Sequence, residues 1–223
     1  MVSRESGFTL IELMIVTAIV SIVAGVAVPN LVSSRAVANE RAVVATLRTI
    51  STAQTQCQAR AVLDVDHDGR GEALGLAELA GMESLRDGSA ALTPTALATS
   101  LGTLDAAGYA GSKGYLIALY VPDAAGDGVL ATSANAAAID TDQAEVAWAC
   151  VAWPRSRGRS GTSTFYINQT GEILVAKDAN YNGLTSIPPA GAAMTGVPAT
   201  NIAGGQLAAD SLGADGNTWR LLR

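Results

Sequence analysis

The sequence predicts an α+β protein: one long N-terminal α-helix packed on a small antiparallel β-sheet head. Three observations predict it. Residues 8–32 form an apolar run broken by a single charge, Glu12. Val32, Ala36, Val43, Leu47, Ile50, Cys57 and Ala61 continue as an apolar stripe at helical spacings, with no Gly or Pro between residues 31 and 63. Further on, short β-rich runs are cut by Pro and Gly in the manner of strands.

The first run is long enough to span a membrane. A helix over residues 8–32 rises about 37 Å, more than the roughly 30 Å of a hydrocarbon core. An ordinary signal peptide has an apolar region of only about 7–15 residues. Ala24-Gly25-Val26-Ala27 imitates its cleavage site, but the length of the run makes that the weaker reading. A carboxylate costs about 2.5–3.5 kcal/mol at the centre of a span and less near its end. Glu12 is therefore either a functional group or an interfacial one that snorkels to water. Pro29 is expected to kink or loosen the helix. The expected parts are a polar leader at 1–7, a span at 8–32, an amphipathic half at 33–63 and a head at 64–223. Arg35, Arg41, Arg48 and Arg60 fall off the apolar stripe. Counting Arg4 before the span against Arg35 and Arg41 after it favours a cytoplasmic head.

The motif around Glu12 overrides that count. Gly7-Phe8-Thr9-Leu10-Ile11-Glu12-Leu13-Met14-Ile15-Val16 resembles the processing signature of type IV pilins and type II secretion pseudopilins. The resemblance implies a pilin-like fold with residues 1–7 as a prepilin leader. It implies cleavage after Gly7 by prepilin peptidase on the cytoplasmic side, and N-methylation of Phe8. Counted from Phe8, Glu12 is the fifth residue and Pro29 the twenty-second, both as in the family. Val28-Pro29-Asn30-Leu31 is similar to the major pseudopilins in particular. In the family the Glu12 carboxylate pairs with the Phe8 amine of a neighbouring subunit. The implied partners are copies of the chain or other pilin-like subunits, the peptidase, an inner-membrane assembly platform and the membrane. The implied location is the inner membrane, with the head in the periplasm or in a filament.

Composition limits the alternatives. Aromatic residues are only 4% of the chain, so the core is expected to be mostly Ala, Val, Leu and Ile. A net charge of −6 argues against nucleic acid as the main partner. Arg155, Arg157 and Arg159 read as a solvated hairpin rim. One histidine, His67, argues against a histidine-based triad and excludes a multi-histidine metal site. With no nucleophile–base set, an enzyme is not expected. Cys57 and Cys150 suit either a long-range disulfide in an exported head or plain core thiols.

In the head, Tyr115–Val121, Ala144–Trp153, Thr162–Asn168 and Glu172–Ala176 read as strands, the last two joined by a hairpin turn. Val146, Trp148, Cys150 and Ala152 share one face at period two. Three or four strands are expected to cover the helix stripe. Residues 183–216 lack periodicity and read as an irregular surface loop or a poorly ordered stretch. No cofactor is required, but calcium has candidate loops. Asp64, Asp66 and Asp68 alternate ahead of Gly69, as at the opening of a helix-hand calcium loop. The closing acid of that motif is replaced by Gly75, leaving Glu72 or Glu78 to substitute. Asp178, Asn180 and Asn182 repeat the alternation more weakly, as an Asx-rich turn would. Major pseudopilins bind calcium near the C-terminus, and Ser211–Gly216 with Asp215 faintly resembles that loop. Asn168-Gln169-Thr170 is a glycosylation sequon by pattern only.

Three functions remain open. The chain is a pseudopilin of a type II secretion system, a type IV pilus subunit for adhesion, motility or DNA uptake, or an exported calcium-binding or enzymatic domain with an ordinary signal or anchor.

Overall fold

The computed structural model describes residues 7–222. Most of the leader, Arg4 included, lies outside the described residues. Helix α1, Leu10–Gln58, has 49 residues and is about 74 Å long. It runs unbroken through Pro29. From Leu10 to Leu31 every residue is exposed. From Ala36 onward the stripe Ala36, Val43, Leu47, Ile50, Ala53 and Cys57 turns into the head and is buried, while the four arginines stay exposed.

The helix ends five residues earlier than its periodicity suggests. Ala61 adopts a left-handed backbone with φ of 45°. Its N–H donates to Gln58 O at 3.0 Å, and the Val62 N–H donates to Cys57 O at 3.1 Å. This is a Schellman-type closure made by a residue other than glycine. No Gly marks the position, so nothing in the sequence announced the stop.

The head is built on a larger sheet than expected. Among the described residues eight strands form it, in the order β1-β2-β4-β5-β6-β10-β9, with β3 paired to β2; β1 is Ala110–Ser112 and β3 is Gly128–Leu130. The four central strands are antiparallel: β2 Tyr115–Pro122, β4 Ala149–Pro154, β5 Thr164–Asn168 and β6 Ile173–Ala176. The expected strand from Ala144 fails at its start. Thr141–Val146 is the short helix α4, capped by the Asp140 side chain, and Val146 is exposed. Trp148, Cys150 and Ala152 do share the helix-facing side.

Both faces of the sheet are covered. Tyr115, Ile117, Leu119, Cys150, Phe165 and Ile167 pack with the α1 stripe. Their alternates Leu116, Ala118, Val151, Trp153, Tyr166 and Leu174 pack on a second layer. Residues 183–216 supply much of that layer, which corrects the reading of them as a surface loop. Ala190, Ala192, Ala193, Met194, Ile202 and Ala208 are buried there against Trp219. Strands β7 Met194–Thr195 and β8 Gln206–Leu207 pair with each other, and β9 Ser211–Leu212 pairs with β10 Thr218–Leu221. Small residues let this irregular chain approach the sheet closely, which is why it shows no periodicity. The few aromatics are not spread thinly: Trp148, Trp153, Trp219, Tyr115 and Tyr166 are among the most buried side chains.

Cys57, on α1, and Cys150, on β4, are two free, buried thiols in the core between helix and sheet, as in the second of the two readings. Each fills its site as a small apolar side chain. Burial pushes both thiols above their ordinary range.

Candidate functional site

At the N-terminus, Thr9 caps α1. Its N–H and its hydroxyl both donate to Glu12 Oε2, at 2.9 and 2.8 Å, and the Glu12 N–H donates to Thr9 Oγ1 at 3.3 Å. This reciprocal capping box holds the Glu12 carboxylate on the first turn, four residues from Phe8. The Thr9 cap is legible in the spacing Thr-x-x-Glu. Phe8 is exposed, and none of the most apolar stretch of α1 is covered by the rest of the chain.

The second half of α1 is fixed to the head by polar ties as well as by its stripe. Asn39 Nδ2 donates to Ser160 O at 3.0 Å. Glu40 Oε1 accepts from the N–H groups of Thr162 and Ser163 at 2.8 and 3.1 Å. Gln54 is fully buried: its Nε2 donates to Leu74 O at 2.6 Å and its Oε1 accepts the Leu74 N–H at 3.0 Å. Gln58 Nε2 donates to Glu145 O at 2.9 Å. These ties run from Asn39 to Gln58, about 28 Å of helix, and fix its rotation and register on the sheet.

The acidic loop leaves α1 directly after its Schellman closure. The structure brings Asp64, Asp66 and Glu72 together, with ligand oxygens all within 4.8 Å of one another. Asp64 accepts the N–H groups of Asp68 and Gly69, each at 3.1 Å, and Asp66 Oδ1 accepts that of Asp68 at 3.2 Å. His67 and Gly69 make the turn with φ of 64° and 90°. Glu72 is 1% exposed. Its Oε1 accepts the Val65 N–H at 2.9 Å, while its buried Oε2 has no partner. Burial pushes the Glu72 carboxyl up; the Val65 N–H and Arg86 pull it back, and Asp66 and Asp64 raise it further. Asp68 instead groups with Asp66 and with Glu145 from α4, a residue that carries no signal in the sequence. Arg70 lies against that second group, 3.9 Å from Asp68 and 3.4 Å from Glu145. Glu78 is not available to the loop: it forms a buried ion pair with Arg86 at 3.2 Å.

Protein donors occupy Asn182 and Asp215 of the other candidate loops. Asn182 Oδ1 accepts the Arg157 N–H at 2.9 Å. The Arg157 guanidinium donates to the carbonyls of Thr162, Ala179 and Lys177. The guanidinium is thus tied to the backbone on either side of Asp178, whose side chain, like that of Asn180, is exposed; Arg155 and Arg159 are exposed as a solvated rim would be, and Arg157 is not. Asp215 accepts from the Tyr181 hydroxyl at 2.7 Å, from Asn217 Nδ2 at 2.8 Å, from the Asn217 N–H at 2.9 Å and from Trp219 Nε1 at 3.1 Å. With four donors on its two oxygens, it does not fit a calcium ligand. Asn168 is buried, and its side-chain oxygen accepts from Thr170, so the sequon is part of a turn.

Comparison with known families gives one match. A model of the prokaryotic N-terminal methylation motif matches residues 2–28, a segment that holds Gly7, Phe8, Thr9 and Glu12. Comparison with curated proteins and with solved structures gives no match.

Proposed function

We propose, from a methylation motif that supports the type IV pilin and pseudopilin-like family, that this chain is a filament subunit and, more specifically, a pseudopilin of a type II protein secretion system. The observation that carries the filament reading is the division of α1. Its first half bears the motif and is bare of contacts, while its second half is bolted to a head. A naked apolar helix needs a second environment, first bilayer and then the packed helices of other subunits. The pseudopilin reading rests on Val28-Pro29-Asn30-Leu31.

In this reading the peptidase hydrolyses the Gly7–Phe8 bond at the cytoplasmic face. The freed Phe8 amine is methylated, and the head lies in the periplasm. Glu12 then leaves its local cap to pair with the Phe8 amine of a neighbour, because a charge moved into an apolar filament core needs a partner. The role is structural rather than enzymatic. A type IV pilus subunit is the second reading, favoured by a head larger than a major pseudopilin is expected to carry.

Intact-mass analysis of the protein from its native membrane tests the first step. A methylated chain beginning at Phe8 is expected, whereas an N-terminus near Ala27 would replace the filament reading with an ordinary exported domain. Glu12→Ala is expected to be processed normally yet to assemble poorly; normal filaments would remove its pairing role. Deletion of the gene separates the two filament readings: lost secretion of folded cargo marks a pseudopilin, and lost surface pili mark a pilus subunit.

A further inference from the structure

The sequence alternation alone does not make the acidic loop a site. The orphaned oxygen of Glu72 does. A carboxylate only 1% exposed, with Oε2 unpartnered and two more carboxylates beside it, is costly unless something neutralises it. Arg86 is engaged with Glu78 at 3.2 Å, and Arg70 lies against Asp68 and Glu145 on the other side of the loop. We propose that the loop following α1 binds one calcium ion through the carboxylates of Asp64, Asp66 and Glu72.

The chemistry of the donors selects the ion. All three are hard oxygens, which suit calcium or magnesium rather than zinc or copper. Two oxygens on opposite sides of a calcium ion, each about 2.4 Å away, lie about 4.8 Å apart. One oxygen from each of the three carboxylates lies within 4.8 Å of those of the other two, which fits that span. Magnesium demands a tighter octahedron and keeps most of its water. Asp68 and Glu145 flank the site and add negative field, partly screened by Arg70. Glu72 takes the place of the acid that the helix-hand pattern would put at Gly75. The ion would tie the exit of α1 to the head, because the Glu72 N–H already donates to Leu63 O at 3.0 Å and the Ala73 N–H to Ala144 O at 2.9 Å. Three carboxylates in a half-open loop suit the affinity of extracellular modules, about 10⁻⁴–10⁻³ M.

The test uses the full chain in detergent, stripped with chelator and then titrated with calcium chloride. Calorimetry is expected to give one calcium per chain. Thermal melting is expected to rise by about 3–6 °C at ten times the Kd. Asp66→Asn and Glu72→Gln are each expected to weaken binding at least tenfold. Both keep the acceptor that the backbone uses, so the chelated variants should still melt cooperatively. Asp178→Asn is expected to bind as the parent does. Absence of heat and of any melting shift would overturn the site. So would binding unchanged by Asp66→Asn and Glu72→Gln, or an equal loss in Asp178→Asn. An equal response to magnesium chloride would overturn the assignment to calcium. None of these outcomes depends on whether the chain forms filaments.

Discussion

Gln54 offers a direct measure of how firmly the helix is joined to the head. Its amide pairs with both backbone polar groups of Leu74, at 2.6 and 3.0 Å, and both residues are fully buried. Gln54→Ala leaves the Leu74 N–H and C=O without partners in a site that water does not reach. Each orphaned group costs about 1–3 kcal/mol, so the pair costs about 4 kcal/mol. For a chain of this size 1 kcal/mol corresponds to about 2–4 °C, which gives a fall of about 8–16 °C in Tm. The assay is thermal melting of the full chain in detergent, followed by circular dichroism of the sheet. Gln54→Met fills the same space without the hydrogen bonds and should fall nearly as far. Gln58→Ala removes one half-exposed tie, at 2.9 Å to Glu145 O, and should cost only about 1 kcal/mol. A Gln54→Ala shift below about 3 °C, or one no larger than that of Gln58→Ala, would refute this account.

Other perturbations follow from the same contacts. Because the folded Glu72 carboxyl is raised above its ordinary value of 4.5, the native state holds its proton more tightly than the unfolded chain. The stabilising contribution is therefore present below the unfolded value and is lost as pH rises through the folded one. In chelator, the Tm of the parent relative to Glu72→Gln should rise as pH is lowered from 7 towards 4.5; a flat difference would count against the buried carboxyl. Ala61→Gly relieves the left-handed residue that closes α1 and should raise Tm by about 2–4 °C, with a fall showing that Ala61 is unstrained. Cys57 and Cys150 should resist alkylation in the native protein and both react after unfolding without reductant; protection that persists until reduction would restore the disulfide.

The N-terminal half of the molecule was legible because one strong local pattern dominates it. A bare apolar run, an acid at a fixed offset and a four-arginine polar face leave little freedom, and the buried stripe appears where its spacing placed it. The central strands were legible as short, continuous apolar runs cut by Pro and Gly, because both of their faces are buried. Legibility failed where tertiary contacts replace periodicity. Ala61 ends a helix without a breaker residue. Ala144–Val146 looks like the start of β4 but belongs to a helix, Thr141–Val146, that the Asp140 side chain caps. Residues 183–216 are buried by small side chains that carry no period. At the acidic loop, spacing brought out Asp64, Asp66 and Asp68, but only the fold distinguishes Glu72 from Glu78 and brings in Glu145. At Asp178–Asn182 the same alternation borders the Arg157 guanidinium, which the Lys177 and Ala179 carbonyls hold and which comes from a segment distant in sequence.

The place of β10 in the sheet has a consequence for biogenesis. This strand lies between β6 and β9, and Trp219 within it is fully buried. Yet its residues are synthesised after every strand it joins. At roughly 5–20 residues per second, β6 leaves the ribosome seconds before Thr218 does. During that interval β6 presents an open edge, a template for wrong pairing. The apolar half of α1, made first, has by then had time to enter a bilayer. Membrane capture thus precedes completion of the head, and a nascent subunit is held away from other open edges while it waits for the strand that closes its own.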